Sequence, residues 1–171
     1  MKLDYLQALK RVSDARGAWV LHGQEPLLEQ NLMDAFRASW QQREVERQRY
    51  DVSSVSDWKN VFNALNSLSL FSTQLAVEVH GNIKPDASGI KLLKSYLQQD
   101  SDNLLLIIMP KQDSSSLKSS FFQVMDANGV NVSLTANYPR DRQQILSVEA
   151  EKLGIKLAND AWAWLEQHHE H

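Results

Sequence analysis

Hydrophobic and polar positions change period several times along the chain, and each change marks an element. In the opening MKLDYLQALKRV, Leu3, Leu6, Leu9 and Val12 recur at helical spacing, which predicts an amphipathic helix. WVLHGQEPLLEQ, residues 19–30, then passes from an apolar run through a glycine to helical spacing again. Residues 18–21 are expected to form a short buried strand. Pro26 falls in the first turn of a helix reaching about Arg43, where a missing N–H costs nothing. Leu27, Leu28, Asn31, Leu32, Ala35, Phe36 and Ser39 make its inner stripe.

The pattern repeats downstream. VERQRYDV predicts a strand ended by the polar SSVSD. Ser56 or Asp57 can cap the next helix, with Trp58, Val61, Phe62 and Leu65 on its inner face. QLAVEV predicts a third strand, GNIKPDASG a loop, and Ile90, Leu92, Leu93, Tyr96 and Leu97 a further helix. NLLLIIMP is apolar on both faces, as a central parallel strand should be, and Pro110 stops it. SSSLKSSFFQVMDANG predicts a capped helix ending at Gly129, and VNVSL a last strand. The alternation predicts an α/β fold, a parallel sheet of about five strands flanked by helices on both faces.

From TANYPRDR onward the pattern becomes wholly helical. Ile145, Val148 and Leu153 line one helix, and LANDAWAWLEQ starts another. A boundary near Tyr138 therefore divides a first domain, 1–138, from a second unit, 139–171. At about thirty residues that unit is too small to bury its own core and reads as a truncated start.

Composition narrows the chemistry. The 171 residues are 43% hydrophobic and 23% charged, with a formal charge of −3, so nothing global points to nucleic acid or an anionic membrane. There is no cysteine, which excludes disulfides and thiolate metal sites and fits a reducing cytoplasm. Asp4 and the lack of a continuous apolar run argue against a signal peptide at the N-terminus, and the run 104–109 is too short to span a bilayer. The expected address is cytoplasmic, with no membrane partner.

A strand, a glycine and a helix in succession invite comparison with a phosphate-binding loop, G-x-x-x-x-G-K-[ST]. Starting that pattern at Gly23 puts Leu28 at the second glycine, Glu29 at the lysine and Gln30 at the hydroxyl. A carboxylate there repels a triphosphate, and Leu28 belongs to the apolar stripe. LAVEVHG and LLLIIMPK both end without an Asp-Glu pair for magnesium. GQEPLL thus reads as a tight turn and helix start, and no cofactor is expected.

Other candidates are weaker. His168, His169 and His171 could bind metal, but they stand at the chain's end, and no metal site is expected. His22 and His80 fall at strand ends, where a structural role is favoured. Ser114, Ser115 and Ser116 lack the G-x-S-x-G of a nucleophile elbow. Arg43, Arg47 and Arg49 alternate with Glu44 and Glu46, which favours a solvated face over phosphate binding. Trp162 and Trp164 fit core packing of the helical unit better than base stacking.

NALNSLSLFSTQLAVEV stands apart. After its helix has completed an apolar face at Leu65, the chain adds Leu68, Leu70 and Phe71 among Ser67, Ser69, Ser72 and Thr73. Apolar side chains on a polar connector either fold back under the sheet or meet a partner. SLSLF, residues 67–71, is similar to the bacterial sliding-clamp-binding pentapeptide Gln-Leu-Ser-Leu-Phe, with Ser67 in place of the glutamine. LHGQEPLLEQ after a strand, DW heading a helix, SLF before the third strand and LLLIIMPK in the fourth occur in the same order in the delta subunit of the DNA polymerase III clamp loader. LGIKLANDAWAWL looks like the start of that family's second domain. The resemblance covers nearly the whole chain.

The resemblance implies an AAA+/RecA-like first domain whose nucleotide site is degenerate at Gly23, Leu28, Glu29 and Gln30, followed by the start of a helical lid-type domain. It implies a non-catalytic subunit of the polymerase III holoenzyme that binds the DNA sliding clamp, the beta subunit, and opens the ring during DNA replication. Leu70 and Phe71 would enter a hydrophobic pocket on the clamp, with Leu68 and Ser69 as flanking contacts. Other clamp-loader subunits would be met through regions beyond this sequence, and DNA only within the full complex. The alternatives are a working P-loop ATPase, disfavoured by Leu28, Glu29 and Gln30, and an α/β binding module of unknown partner in which SLSLF is core.

Overall fold

In the computed structural model, which describes residues 1–66, 74–99 and 101–135, strands and helices alternate. The strands are β1 (Lys2–Leu3), β2 (Gly17–Gly23), β3 (Glu46–Asp51), β4 (Leu75–His80), β5 (Leu104–Pro110) and β6 (Val130–Leu134). The α-helices are α1 (Tyr5–Leu9), α2 (Pro26–Gln42), α3 (Asp57–Asn66), α4 (Ala87–Gln98) and α5 (Ser120–Asn128). The strands make one parallel sheet in the order β1-β6-β2-β5-β4-β3.

Central position follows apolar content. Leu104, Leu105, Leu106, Ile107, Ile108 and Met109 of β5 are all buried, and β5 pairs with β2 from Gly17–Leu104 to Gly23–Pro110. On one face Val20, Val77, Val79, Leu105 and Ile107 join Trp58 and Phe62 of α3, Leu93 and Tyr96 of α4, and Phe121 and Phe122 of α5 in a single cluster. On the other face Trp19 meets the edge of Phe36 from α2, with ring centroids 5.5 Å apart, and Phe36 packs on Trp40 at 5.7 Å.

Six strands stand where about five are expected, and the additional one is β1. The opening segment is not one helix with Leu3, Leu6, Leu9 and Val12 inside. Asp4 closes a capping box with Gln7: its carboxylate accepts from the Gln7 N–H at 2.8 Å, and the Gln7 side chain accepts from the Asp4 N–H at 3.0 Å. That box starts α1 after Leu3, which is left to pair with Val132 of β6. The buried side chains are therefore Leu3, Tyr5, Ala8 and Val12, while Leu6 and Leu9 are half-buried.

Smaller departures have local causes. Leu92 lies on the outer side of α4, 38% exposed, because Leu93 and Tyr96 take the inner face. Asp57 is already helical, and its carboxylate reaches back to the N–H groups of Ser53 and Ser54. Those bonds pull its pKa below the usual aspartate value. The segment before α5 is a short 3-10 turn, Ser116–Lys118, and then the helix. Gly129 ends α5, as expected, but not as a left-handed cap. Its φ is −116°, and a Cβ there would lie 2.8 Å from the Ala18 carbonyl oxygen. The described residues up to Leu134 belong to one compact unit. The expected boundary near Tyr138 and the expected second unit, 139–171, lie outside the described residues.

Candidate functional site

Gly23, Leu28, Glu29 and Gln30 are brought together at the C-terminal edge of the sheet, where β2 hands over to α2. Gly23 has φ +153°, and a Cβ on it would sit 2.4 Å from the Leu134 carbonyl oxygen. The glycine is thus required by the close approach of β6. Only Gln24 and Glu25 separate it from Pro26, the first residue of α2, whereas the phosphate loop has four residues between its glycines. Leu28 is 2% exposed within the inner stripe of α2, Glu29 is half-buried and Gln30 is exposed. Glu25 caps the helix without a side-chain bond, and Pro26 offers no N–H. The helix end therefore carries two carboxylates, Glu25 and Glu29, where an anion would need donors and a cation.

Behind this turn His22 is buried, its Nε2 2.7 Å from Asn131 Oδ1. Asn131 Nδ2 donates to Asp126 Oδ1 at 2.9 Å, so its oxygen is free to accept and His22 Nε2 carries the proton. Burial lowers the pKa of His22, against the Asn131 bond and the Asp126 charge. The structural role expected of this histidine is the one its geometry supports.

A second polar cluster lies between α2, β3 and β4. Glu78 stands in an otherwise apolar strand with its side chain fully buried. Arg47 grips it from β3 through Nη2 at 3.0 Å and Nε at 3.3 Å, His80 Nε2 lies at 2.7 Å, and Arg37 Nη2 of α2 at 3.7 Å. Burial pushes the Glu78 carboxyl up, but the His80 and Arg47 bonds and charges outweigh it and bring its pKa down to about 2. Period two in β3 also separates Arg47 and Arg49 from Glu46, instead of mixing them on one face. Arg49 pairs with Asp51, and Arg43 bonds Ser39 and Gln74, so all three arginines find protein partners. The charge inside LAVEV was the sequence signal for this cluster.

The candidate clamp contacts Leu68, Ser69, Leu70 and Phe71, with Ser67 before them, lie outside the described residues. Their flanks do not. On α3 the inner face is complete at Leu65: Trp58, Val61, Phe62 and Leu65 are each at most 4% exposed. Asn66 ends α3 and Leu75 opens β4, so the connector is rooted at the N-terminal edge of the sheet, opposite Gly23. Asn103, just before β5, accepts from the Leu75 N–H at 3.0 Å and donates from Nδ2 to the Leu65 carbonyl at 3.4 Å. Gln74 Nε2 donates to the Asp102 carbonyl at 2.7 Å, and Arg43 Nη1 donates to Gln74 Oε1 at 3.1 Å. Nothing in sequence periodicity singled out Asn103 or Gln74.

Of the remaining candidates, Ser116 Oγ donates to Gln112 and accepts from Lys84, beside an N–H of the same residue held by Asp113. No acid-base pair accompanies Ser114 and Ser115 there. Among the described residues no group of three or more His, Asp or Glu is placed to hold a metal ion, and no helix is long and apolar enough to cross a membrane. His168, His169, His171, Trp162 and Trp164 lie outside the described residues.

A family model described as DNA polymerase III, delta subunit, matches residues 19–134. Among solved structures the chain is similar to the Bacillus subtilis DNA clamp loader delta protein, with a TM-score of 0.69 and 10% identity over 94% of this chain and 51% of that one. It is also similar to a DNA polymerase III gamma subunit-related protein from Thermotoga maritima, with a TM-score of 0.50 and 13% identity over 88% of this chain and 53% of that one. These likenesses are of fold, and the fold is the AAA+/RecA-like α/β type expected. The chain spans about half the length of either protein. No curated protein sequence matches it.

Proposed function

Because the chain belongs to the DNA polymerase III delta-subunit family of clamp-loader proteins, we propose that it binds the DNA sliding clamp, the beta subunit, through Leu68, Ser69, Leu70 and Phe71 and opens the ring during DNA replication. The observation that carries this reading is the completed face of α3. Trp58, Val61, Phe62 and Leu65 already fill the space between that helix and the sheet, so the three apolar side chains that follow are surplus to the stripe. Two apolar side chains entering a partner's pocket supply the anchors that dominate such interfaces.

The proposed role is non-catalytic. A two-residue turn, a buried Leu28 and carboxylates at the start of α2 all speak against nucleotide binding at the C-terminal edge. The other clamp-loader subunits are proposed as further partners, DNA is met within the full complex, and the setting is the cytoplasm. The test is capture of the purified sliding clamp by the parent chain and by a variant with Leu70→Ala and Phe71→Ala. Equal capture by both overturns the proposal.

A further inference from the structure

We propose that Asn103 is a positioning residue for clamp binding: its side-chain amide ties both ends of the connector 66–74 to the root of the central strand. The inference rests on the reading of residues 68–71 as the clamp contact. Asn103 Oδ1 holds the Leu75 N–H at 3.0 Å, where the connector enters β4. Asn103 Nδ2 holds the Leu65 carbonyl at 3.4 Å, in the last turn of α3. The two bonds need one acceptor and one donor on the same short side chain, which a carboxylate or an aliphatic group cannot supply.

Asn103 is itself fixed before it acts. Its N–H donates to Ser101 Oγ at 3.1 Å, and its carbonyl accepts from the Gly17 N–H at 2.9 Å. The Tyr96 hydroxyl lies 2.8 Å from that same carbonyl and from the Gly17 carbonyl. Tyr96 is buried, and burial pushes its pKa up, so the phenol stays a donor. Gln74 adds a second tie at the downstream end, to Asp102, to Arg43 of α2 and, through its carbonyl, to the Glu46 N–H of β3 at 3.1 Å.

Both ends of the connector thus converge on residues 102 and 103. A segment whose ends are fixed gives up less conformational freedom when a partner orders it, which raises affinity without adding a contact. The Asn103 side chain adds nothing to the hydrophobic cluster, so this effect is separable from the stability of the core.

The experiment measures three quantities on the full chain with N103A, N103D and the Leu70→Ala, Phe71→Ala double variant. They are affinity for the purified sliding clamp, amide hydrogen exchange, and the unfolding midpoint in urea. N103A is expected to weaken clamp binding about tenfold, the worth of one to two hydrogen bonds. Exchange at Leu75 should accelerate while Val77 and Val79 stay protected. N103D keeps an acceptor for Leu75 but loses the donor to Leu65, and should weaken binding as well, which covers the case of an N103A that folds poorly. Parent-like clamp affinity in either folded variant overturns the proposal. So does a loss of affinity accompanied by equally faster exchange at Val77 and Val79, which marks a merely structural role. Unchanged binding by the Leu70→Ala, Phe71→Ala variant overturns the reading of the contact itself, whatever the Asn103 variants do.

Discussion

Replacing Glu78 with glutamine should destabilise the protein by about 3 kcal/mol at neutral pH and by far less in acid. Its carboxylate is fully buried and gripped by Arg47 and His80, with Arg37 beyond. Burial raises its pKa, and those partners more than reverse the effect, taking it from 4.5 to about 2. At 1.36 kcal/mol per pH unit this lowering corresponds to about 3 kcal/mol. Removing one partner of a buried ion pair typically costs about 3–5 kcal/mol. Arg47 and Arg37, 40% and 41% exposed, can return to water, so the lower end applies. Because the folded pKa is depressed, this stability is present above about pH 4.5 and fades as the pH falls through that value toward 2. By pH 3 about 2 kcal/mol of it should be gone. The assay is urea unfolding of parent and E78Q at pH 7, 5 and 3. Only the gap between the two proteins is interpreted, since other carboxylates titrate in both. A gap below about 0.5 kcal/mol at pH 7, the size of an ordinary surface change, refutes the reasoning, as does a gap that persists undiminished at pH 3.

Other outcomes follow from the two edges of the sheet. Burying Leu70 and Phe71 in a pocket is worth roughly 3–6 kcal/mol of the about 8 kcal/mol in a micromolar complex, so changing both to alanine should weaken clamp binding at least about a hundredfold. The urea midpoint should stay unchanged; if the pair were core, each substitution would cost about 2–5 kcal/mol. Calorimetric titration with ATP-magnesium at millimolar concentration should give no saturable heat and no rise in melting temperature. Gly23→Ala forces a Cβ to within 2.4 Å of the Leu134 carbonyl at φ +153° and should lower stability by more than about 2 kcal/mol in urea unfolding; a cost near that of a surface substitution would mean β6 does not press on this turn.

The sheet was legible because its strands are apolar runs of the right length, and NLLLIIMP could only be central. What escaped was set by groups that periodicity does not weigh. The spacing of Leu3, Leu6, Leu9 and Val12 satisfied a helical template, but one capping box at Asp4 and Gln7 moved the helix start and released Leu3 to a strand. Leu92 satisfied the same template and still faces water, since a helix seated by Leu93 and Tyr96 has room for only one of two adjacent leucines inside. At the nucleotide edge the substitutions at Leu28, Glu29 and Gln30 were visible in the sequence; the reason for Gly23, the backbone of β6 against it, was not. Asn103 was invisible for a different cause. Its role depends on bringing Leu65 and Leu75 to one point, a tertiary fact that a polar residue before a strand does not announce.

The same comparison explains how the fold stands without a ligand at its C-terminal edge. A phosphate loop leaves backbone amides and a lysine whose best partners belong to the nucleotide. Here Pro26 removes one amide, the Glu29 N–H is taken by the Glu25 carbonyl at 3.1 Å, Leu28 enters the core and Gly23 closes against Leu134. The protein's own atoms complete the turn. A ligand shifts a conformational equilibrium only by its differential affinity for the two states, and this edge gives a triphosphate little to distinguish. The position of α2 is instead fixed from within, by Arg37 toward Glu78 and by Arg43 toward Gln74. Gln74 also borders the connector at the opposite edge. In the proposed role, load applied at residues 68–71 passes through Asn103 and Gln74 into β5, β4 and α2 together. Work on the clamp then derives from binding energy at that contact, delivered by a domain that moves as one piece.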